Sequence, residues 1–146
     1  MNAADAAVHA ELAMACRVLD MDAALVSEIA GGREHVRWAA GEEGYGGVSL
    51  PLEETVCNRL LDGRIPTIVA DAAAEPSLRD LPAVRDGSIA AYVGIPFTTA
   101  DARDYVLCCL AREKRPDLDE ADVRFLRGLA ESIRALLAPD AASAWA

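Results

Sequence analysis

Residues 50–112 read LPLEETVCNRLLDGRIPTIVADAAAEPSLRDLPAVRDGSIAAYVGIPFTTADARDYVLCCLAR, and this stretch decides the fold. Leu52 to Asp62 reads as a short helix burying Val56, Cys57 and Leu60, with Gly63 where a left-handed C-terminal cap belongs. Ile65 to Ala70 reads as a strand that tolerates Pro66 near its start and ends at Asp71. Ala72 to Ser88 holds Pro76, Pro82 and Gly87 among scattered apolar residues, with one or two helical turns expected between Leu78 and Val84. Two strands follow, Ala90 to Phe97 and Asp104 to Glu113, joined by a turn over Thr98 to Arg103. Gly94 and Pro96 suggest a bulge or an edge near the end of the first. In the second, Val106, Cys108 and Leu110 alternate with Tyr105, Leu107, Cys109 and Ala111. Both faces are apolar, so that strand is central and covered on both sides. A strand, an irregular crossing segment and a hairpin together make a pocket against a sheet, with the crossing segment as its lid.

Upstream, Ala3 to Leu19 reads as a helix with an apolar stripe of Val8, Leu12, Ala15 and Leu19, and Asp5 is positioned to cap it. Met21 to Ile29 and Arg33 to Ala40 read as a hairpin through Gly31-Gly32. Strict alternation in its second strand puts His35 and Arg37 on a polar face and Val36 and Trp38 on a buried one. The glycines of GEEGYGG, Gly41 to Gly47, are turn formers rather than a phosphate loop, because no Lys-Ser/Thr ending follows them. Downstream, Asp119 is an N-cap with Glu120 and Asp122 in the first turn of a helix reaching about Leu137. Val123, Leu126, Ala130, Ile133 and Leu137 form one stripe on it, and Phe125, Leu129 and Leu136 a second. The two stripes fit either one wide core-facing surface or a core face plus a dimer seam.

The 146 residues suit one domain, with residues 1–138 as the folded unit and 139–146 as a flexible tail or the start of a linker. The composition is 53% hydrophobic but only 5% aromatic, so the core is built from Ala, Val, Leu and Ile. A net charge of -10, from 24 acidic and 14 basic residues, repels phosphate backbones and anionic lipid. Nucleic-acid and membrane partners are therefore not expected, and no apolar run or signal-like start is present. A cytoplasmic location is the expectation. Cys16, Cys57, Cys108 and Cys109 form no C-x-x-C pair, and His9 and His35 are not at ligand spacing to them. The thiols read as buried core groups in a reducing compartment.

Laid out this way, the chain resembles a GAF domain, the small sensor module of signalling proteins, over nearly its whole length from Ala3 to Leu137. The resemblance rests on SLPLEETVCNRLLDGRIP, the VAD after it, AAYVGIPF, LCCLAREKRPDL and the closing LDEADVRFLRGLAESI. It is greatest to bacterial GAF domains that precede cyclic-di-GMP-turnover domains or other output modules. The resemblance implies an α+β fold: an antiparallel sheet of about six strands with helices on both faces and the N- and C-terminal helices packed together. It places a ligand pocket on the opposite face, under the segment joining the third and fourth strands. It implies a regulatory small-molecule sensor without catalysis of its own, a homodimer through the terminal helices, and an output domain in cis or in trans. The chain departs from the family at TTADARDYVLCC, where Ala102 and Tyr105 occupy positions expected to hold small glycines, and the Tyr105 ring is expected to fill a cavity or narrow the pocket. The cyclic-nucleotide signature, the cysteine-plus-histidine pair of bilin binders and an evident haem ligand cannot be matched, so the cofactor is left unassigned.

Within the pocket, the candidate ligand contacts are Cys57, Asp71, Arg79, Arg85, Tyr92 and Cys109. Asp71 ends a strand at the pocket edge, the two arginines sit in the lid where they could clamp an anion, and Tyr92 offers a ring and a hydroxyl. Three other readings stay open. One is a ligand-free dimerisation module. Another is a redox switch pairing Cys57 with only one of Cys108 and Cys109, since adjacent strand residues face opposite ways. The last is a free methionine-R-sulfoxide reductase, which needs a nucleophilic thiol in the lid, where Ala72 to Ser88 has no cysteine.

Overall fold

The computed structural model describes residues 2–42 and 44–138, so the expected tail at 139–146 lies outside the described residues. The chain runs α1 (Ala3–Leu19), β1 (Ala23–Ala30), β2 (Arg33–Gly41), β3 (Ser49–Pro51), α2 (Val56–Leu61), β4 (Ile68–Val69), α3 (Pro82–Arg85), β5 (Ala91–Thr98), β6 (Asp104–Ala111) and α4 (Glu120–Leu136). Single 3-10 turns at Leu52–Glu54 and Ala72–Ala74 flank α2 and open the crossing segment. Among the described residues six strands form one sheet in the order β3-β2-β1-β6-β5-β4, with every pairing antiparallel.

Two cores pack on the two faces of this sheet, and strand periodicity divides the residues between them. On one face, Val8, Leu12 and Ala15 of α1 and Val123, Leu126, Ala130 and Ile133 of α4 cover Ala24, Val26, Leu107, Cys109 and Ala111. On the other, α2 and the crossing segment cover Leu25, Val36, Tyr92, Val106, Cys108 and Leu110. The split of β6 matches the expected alternation residue for residue. Ala-rich helices suit this arrangement, because small side chains let α1 and α4 lie side by side on a sheet of modest width. Ser132 donates to Glu11 across the two helices (3.0 Å), Trp38 Nε1 to Asp5 (2.9 Å), and Arg134 Nε to the Thr98 carbonyl (2.8 Å).

Local capping follows the sequence closely. Asp119 caps α4 in a reciprocal box with Asp122. At α1 the cap is Asn2, and Asp5 is the third residue of the box rather than the cap itself. The Gly31-Gly32 turn has φ of +61° and +72°, the mirror-image turn whose twist suits a two-residue hairpin. Gly63 adopts φ +72° just past α2.

Elsewhere the structure departs from the alternation. Val26 pairs with Trp38 but Ser27 pairs with Val36, so Arg37 is an extra residue in β2. This bulge sends Val36 to the α2 face and Trp38 to the α1 face, where strict alternation had put them together. By contrast β5 carries no bulge at Gly94 or Pro96, and its register to β6 is unbroken from Ala91↔Ala111 to Thr98↔Asp104. The edge expectation holds, because β4 pairs only with Tyr92 and Val93. The strand expected at Ile65 to Ala70 shrinks to Ile68–Val69, as Pro66 cannot donate to a ladder. Strand β3 was not expected at all. It is three residues long and held by β2 alone.

The two stripes of α4 merge into one wide face. Leu129 is buried with the first stripe, and Phe125, Leu136 and Leu137 pack partly against the same core. Among the described residues the exposed large hydrophobics are Val18, Leu50 and Leu61, none of them on α4. Tyr105 also lies on this side. It stacks on Phe97 (centroids 5.4 Å apart) and tilts against Trp38 (6.3 Å), so it fills the helix layer and leaves the pocket face alone.

Candidate ligand pocket

A cavity of about 270 Å³ opens between the α2 face of the sheet and its roof. Its floor is Leu25, Val36, Tyr92, Cys108 and Leu110; Leu81, Ala83 and Ile89 close one side, and Tyr45, Val48 and Leu50 the other. The size sits near the lower end of small-molecule pockets, which run from roughly 300 Å³ upward.

The crossing segment roofs the pocket because it is anchored at apolar points. Leu78, Leu81 and Val84 are buried, and the main chain ties in where Ala72 donates to Ala90 (2.8 Å). Arg59 of α2 adds a polar clasp. Its guanidinium donates to the carbonyls of Thr55 (3.1 Å), Ser77 (3.3 Å) and Glu53, joining α2, the turn before it and the lid. The opposite wall is set by the β2–β3 connection, where Val36 donates to Val48 (2.8 Å) and Gly47 to Val36 (3.1 Å).

Few polar groups reach the cavity. Cys57 and Tyr92 meet there, thiol to hydroxyl at 3.1 Å. Burial pushes the Tyr92 hydroxyl well above its ordinary range, with Cys57 beside it adding to the effect. The Cys108 thiol is pushed up as well, first by its hydrogen bond with Cys57 and then by burial. Tyr92 and Cys108 therefore keep their protons at physiological pH. Burial also raises the Tyr45 hydroxyl. Glu34 differs from all of them. It is 8% exposed, lines the cavity, and its Oε1 has no hydrogen-bond partner among the described residues.

The six candidates named from sequence divide here. Cys57 and Tyr92 line the pocket together. Cys109 does not, because it alternates to the α1–α4 face, where burial holds its thiol at about 12; Cys108 takes the pocket-facing place instead. Asp71 sits at the turn into the crossing segment with Lys114 3.4 Å away, outside the lining. Arg79 and Arg85 are exposed on the outer side of the lid, since the segment turns Leu78, Leu81 and Val84 inward. Neither is placed to clamp an anion in the cavity. Glu34, Tyr45, Thr55 and Arg59 were missed. For Glu34 a signal existed: it stands two residues from Val36, on the same face of β2.

Comparison with known proteins agrees with this architecture. Residues 5–138 match the GAF domain family. The chain is 31% identical over 135 residues to a cyclic di-GMP phosphodiesterase of Pseudomonas aeruginosa, covering 90% of this chain and 22% of that protein. It therefore spans about a fifth of the length of that relative. Among solved structures, the GAF domain of a phosphoenolpyruvate-protein phosphotransferase from Coxiella burnetii superposes with a TM-score of 0.73 at 19% identity, covering 92% of this chain and 82% of that one. The phycocyanobilin-bound GAF domain of a cyanobacterial phytochrome superposes equally well, at 0.73 and 16% identity, with 94% and 85% covered. With the two-layered sheet, the roofed pocket and the family match over residues 5–138, the chain belongs to the GAF domain family.

Proposed function

We propose that this protein is a regulatory sensor domain that binds a small organic molecule in the pocket under residues 72–88 and passes the bound state to α1 and α4. GAF domains as a family are sensor and ligand-binding modules of signalling proteins. The observation that carries the reading is the roofed, largely apolar cavity on the sheet face opposite the terminal helices. Strand β6 connects the two sides: Cys108 and Leu110 line the cavity while Leu107, Cys109 and Ala111 hold α1 and α4. A ligand that shifts β6 by a fraction of an ångström must move both layers, because packed interiors transmit strain. In this reading residues 1–138 form the sensor unit, the output domain acts in cis or in trans, and the protein works in the cytoplasm as a homodimer through α1 and α4. The domain performs no catalysis itself.

Native mass spectrometry before and after denaturation tests the reading. A small non-protein mass lost on denaturation is expected, together with a dimer mass. A protein that carries nothing and shows no thermal shift with a metabolite library would leave only a dimerisation module. A second reading, a redox pair, is favoured by Cys57 and Cys108 lining the same cavity, while the raised Cys108 thiol opposes it, since thiolate is the reactive form. A loss of two hydrogens per chain, restored by reductant, would support the pair.

A further inference from the structure

Glu34 is a carboxylate held in the wall of an apolar cavity with an oxygen that nothing among the described residues satisfies. An unpaired buried carboxylate oxygen is costly, and a folded chain keeps one where something else pairs with it. The surroundings say what kind of group that is. Among the described residues no Lys, Arg or His lines the cavity, while a second carboxylate, Glu54, stands at its wall. Arg33, the nearest cation in sequence, is turned outward and bonded to Ser49 by its Nε (2.9 Å). Of the other polar groups, Cys57 and Tyr92 are bonded to each other, Thr55 donates to the Leu52 carbonyl (2.7 Å), and the Tyr92 hydroxyl and Cys108 thiol are pushed above their ordinary ranges. The rings of Tyr45 and Tyr92 border the same space.

We infer that the pocket takes a small organic cation: a protonated amine on an apolar body, its N–H groups donating to Glu34 and its hydrocarbon part lying on Leu25, Val36 and Leu110. This assignment rests on the sensor reading above and adds the charge of the ligand to it. It also excludes anions from this cavity. A phosphate or carboxylate would meet two like charges and no cation, and the lid arginines, Arg79 and Arg85, point away. A tyrosine beside a desolvated ammonium contributes further through its ring face.

The test uses the full chain and three matched probes: benzylammonium, benzyl alcohol and benzoate at millimolar concentration, read by calorimetric titration and by backbone amide shifts. Benzylammonium is expected to bind about tenfold or more tightly than benzyl alcohol, the difference a charge-assisted hydrogen bond makes, with benzoate weakest. Shifts should centre on Val36, Tyr92 and Cys108. Glu34→Gln, nearly the same shape, should abolish the ammonium preference and leave alcohol binding in place. Equal binding of alcohol and ammonium, or benzoate binding best, overturns the charge assignment and leaves the pocket standing. Binding by none of the three overturns the pocket reading together with it. The three-probe comparison on the natural chain decides the matter even where the Gln variant fails to fold.

Discussion

Gly94 sits in the middle of β5, where the Tyr92 ring crosses its face and α2 presses down. A Cβ added there falls 2.6 Å from Leu60 Cδ2 and 2.7 Å from Tyr92 Cε1, and it also clashes with the Tyr92 hydroxyl. Carbon atoms pack at about 3.5–4.0 Å, so roughly an ångström must be found. Tyr92 is 1% exposed and bonded to Cys57, and it cannot swing away freely. Overpacking of this kind costs typically 1–3 kcal/mol, and the two contacts together place Gly94→Ala toward the upper end, about 2–3 kcal/mol. For a domain of this size that lowers Tm by roughly 5–10 °C. Urea unfolding followed by circular dichroism measures the change. Leu60→Ala removes one of the two clashes, so the double variant should be about 1 kcal/mol more stable than the sum of the single effects. A Gly94→Ala protein within about 0.5 kcal/mol of the natural one, or strictly additive effects, would refute the packing described for the pocket floor.

The opposite result is expected at Gly128, which lies in α4 with open space around it. Gly128→Ala should stabilise by roughly 0.5–1 kcal/mol through helix propensity, measured in the same urea titration. Ala102 stands at φ +64° in the β5–β6 turn, a conformation that disfavours a Cβ. Ala102→Gly should therefore raise stability by about 0.5 kcal/mol, the strain relieved less the extra entropy of the unfolded chain. Alkaline titration should expose the buried thiols. Cys109 is pushed from an ordinary 9.0 to about 12 by burial, so between those values the folded chain holds a proton that the unfolded one has lost. Stability is intact below pH 9 and falls by up to about 1.4 kcal/mol per unit above it from this group alone. Tyr92 and Cys108 act in the same direction. Cys109→Ala should flatten the fall, and an unchanged slope would remove the assignment.

Much of the architecture was written in local patterns that any reader of the chain can see. The alternation in β6, the stripes of α1 and α4, the Asp119 cap and the Gly31-Gly32 turn each depend on a few neighbouring residues, and the structure repeats them. The family resemblance then supplied the six-stranded antiparallel sheet and the face on which each helical layer lies, while the strand order came from the structure. Ala102 shows how the two kinds of reading meet: it was marked as standing where a glycine is expected, and its backbone indeed lies in the region glycine favours. Sequence also reached Cys57 and Tyr92, whose side of the sheet follows from period and position.

What failed were statements that depend on where a side chain ends up across the fold. One inserted residue at Arg37 reverses the facing of everything after it in β2, and a bulge leaves no local mark in an Arg-Trp-Ala run. Cys108 and Cys109 are chemically identical neighbours, and only pairing with β1 and β5 assigns one to the pocket and one to the helices. The lid arginines looked like clamps because charge in a loop attracts attention, but the buried leucines of that loop decide its orientation, and they turn the charges to solvent. Glu34 carries the reverse lesson. A charged residue in a hairpin strand reads as solvated, and its unpaired place in an apolar wall exists only once β3, the Tyr45 connection and the roof have closed around it. Local sequence determines which residues share a face; tertiary packing alone determines what that face meets, and so which of them a ligand can touch.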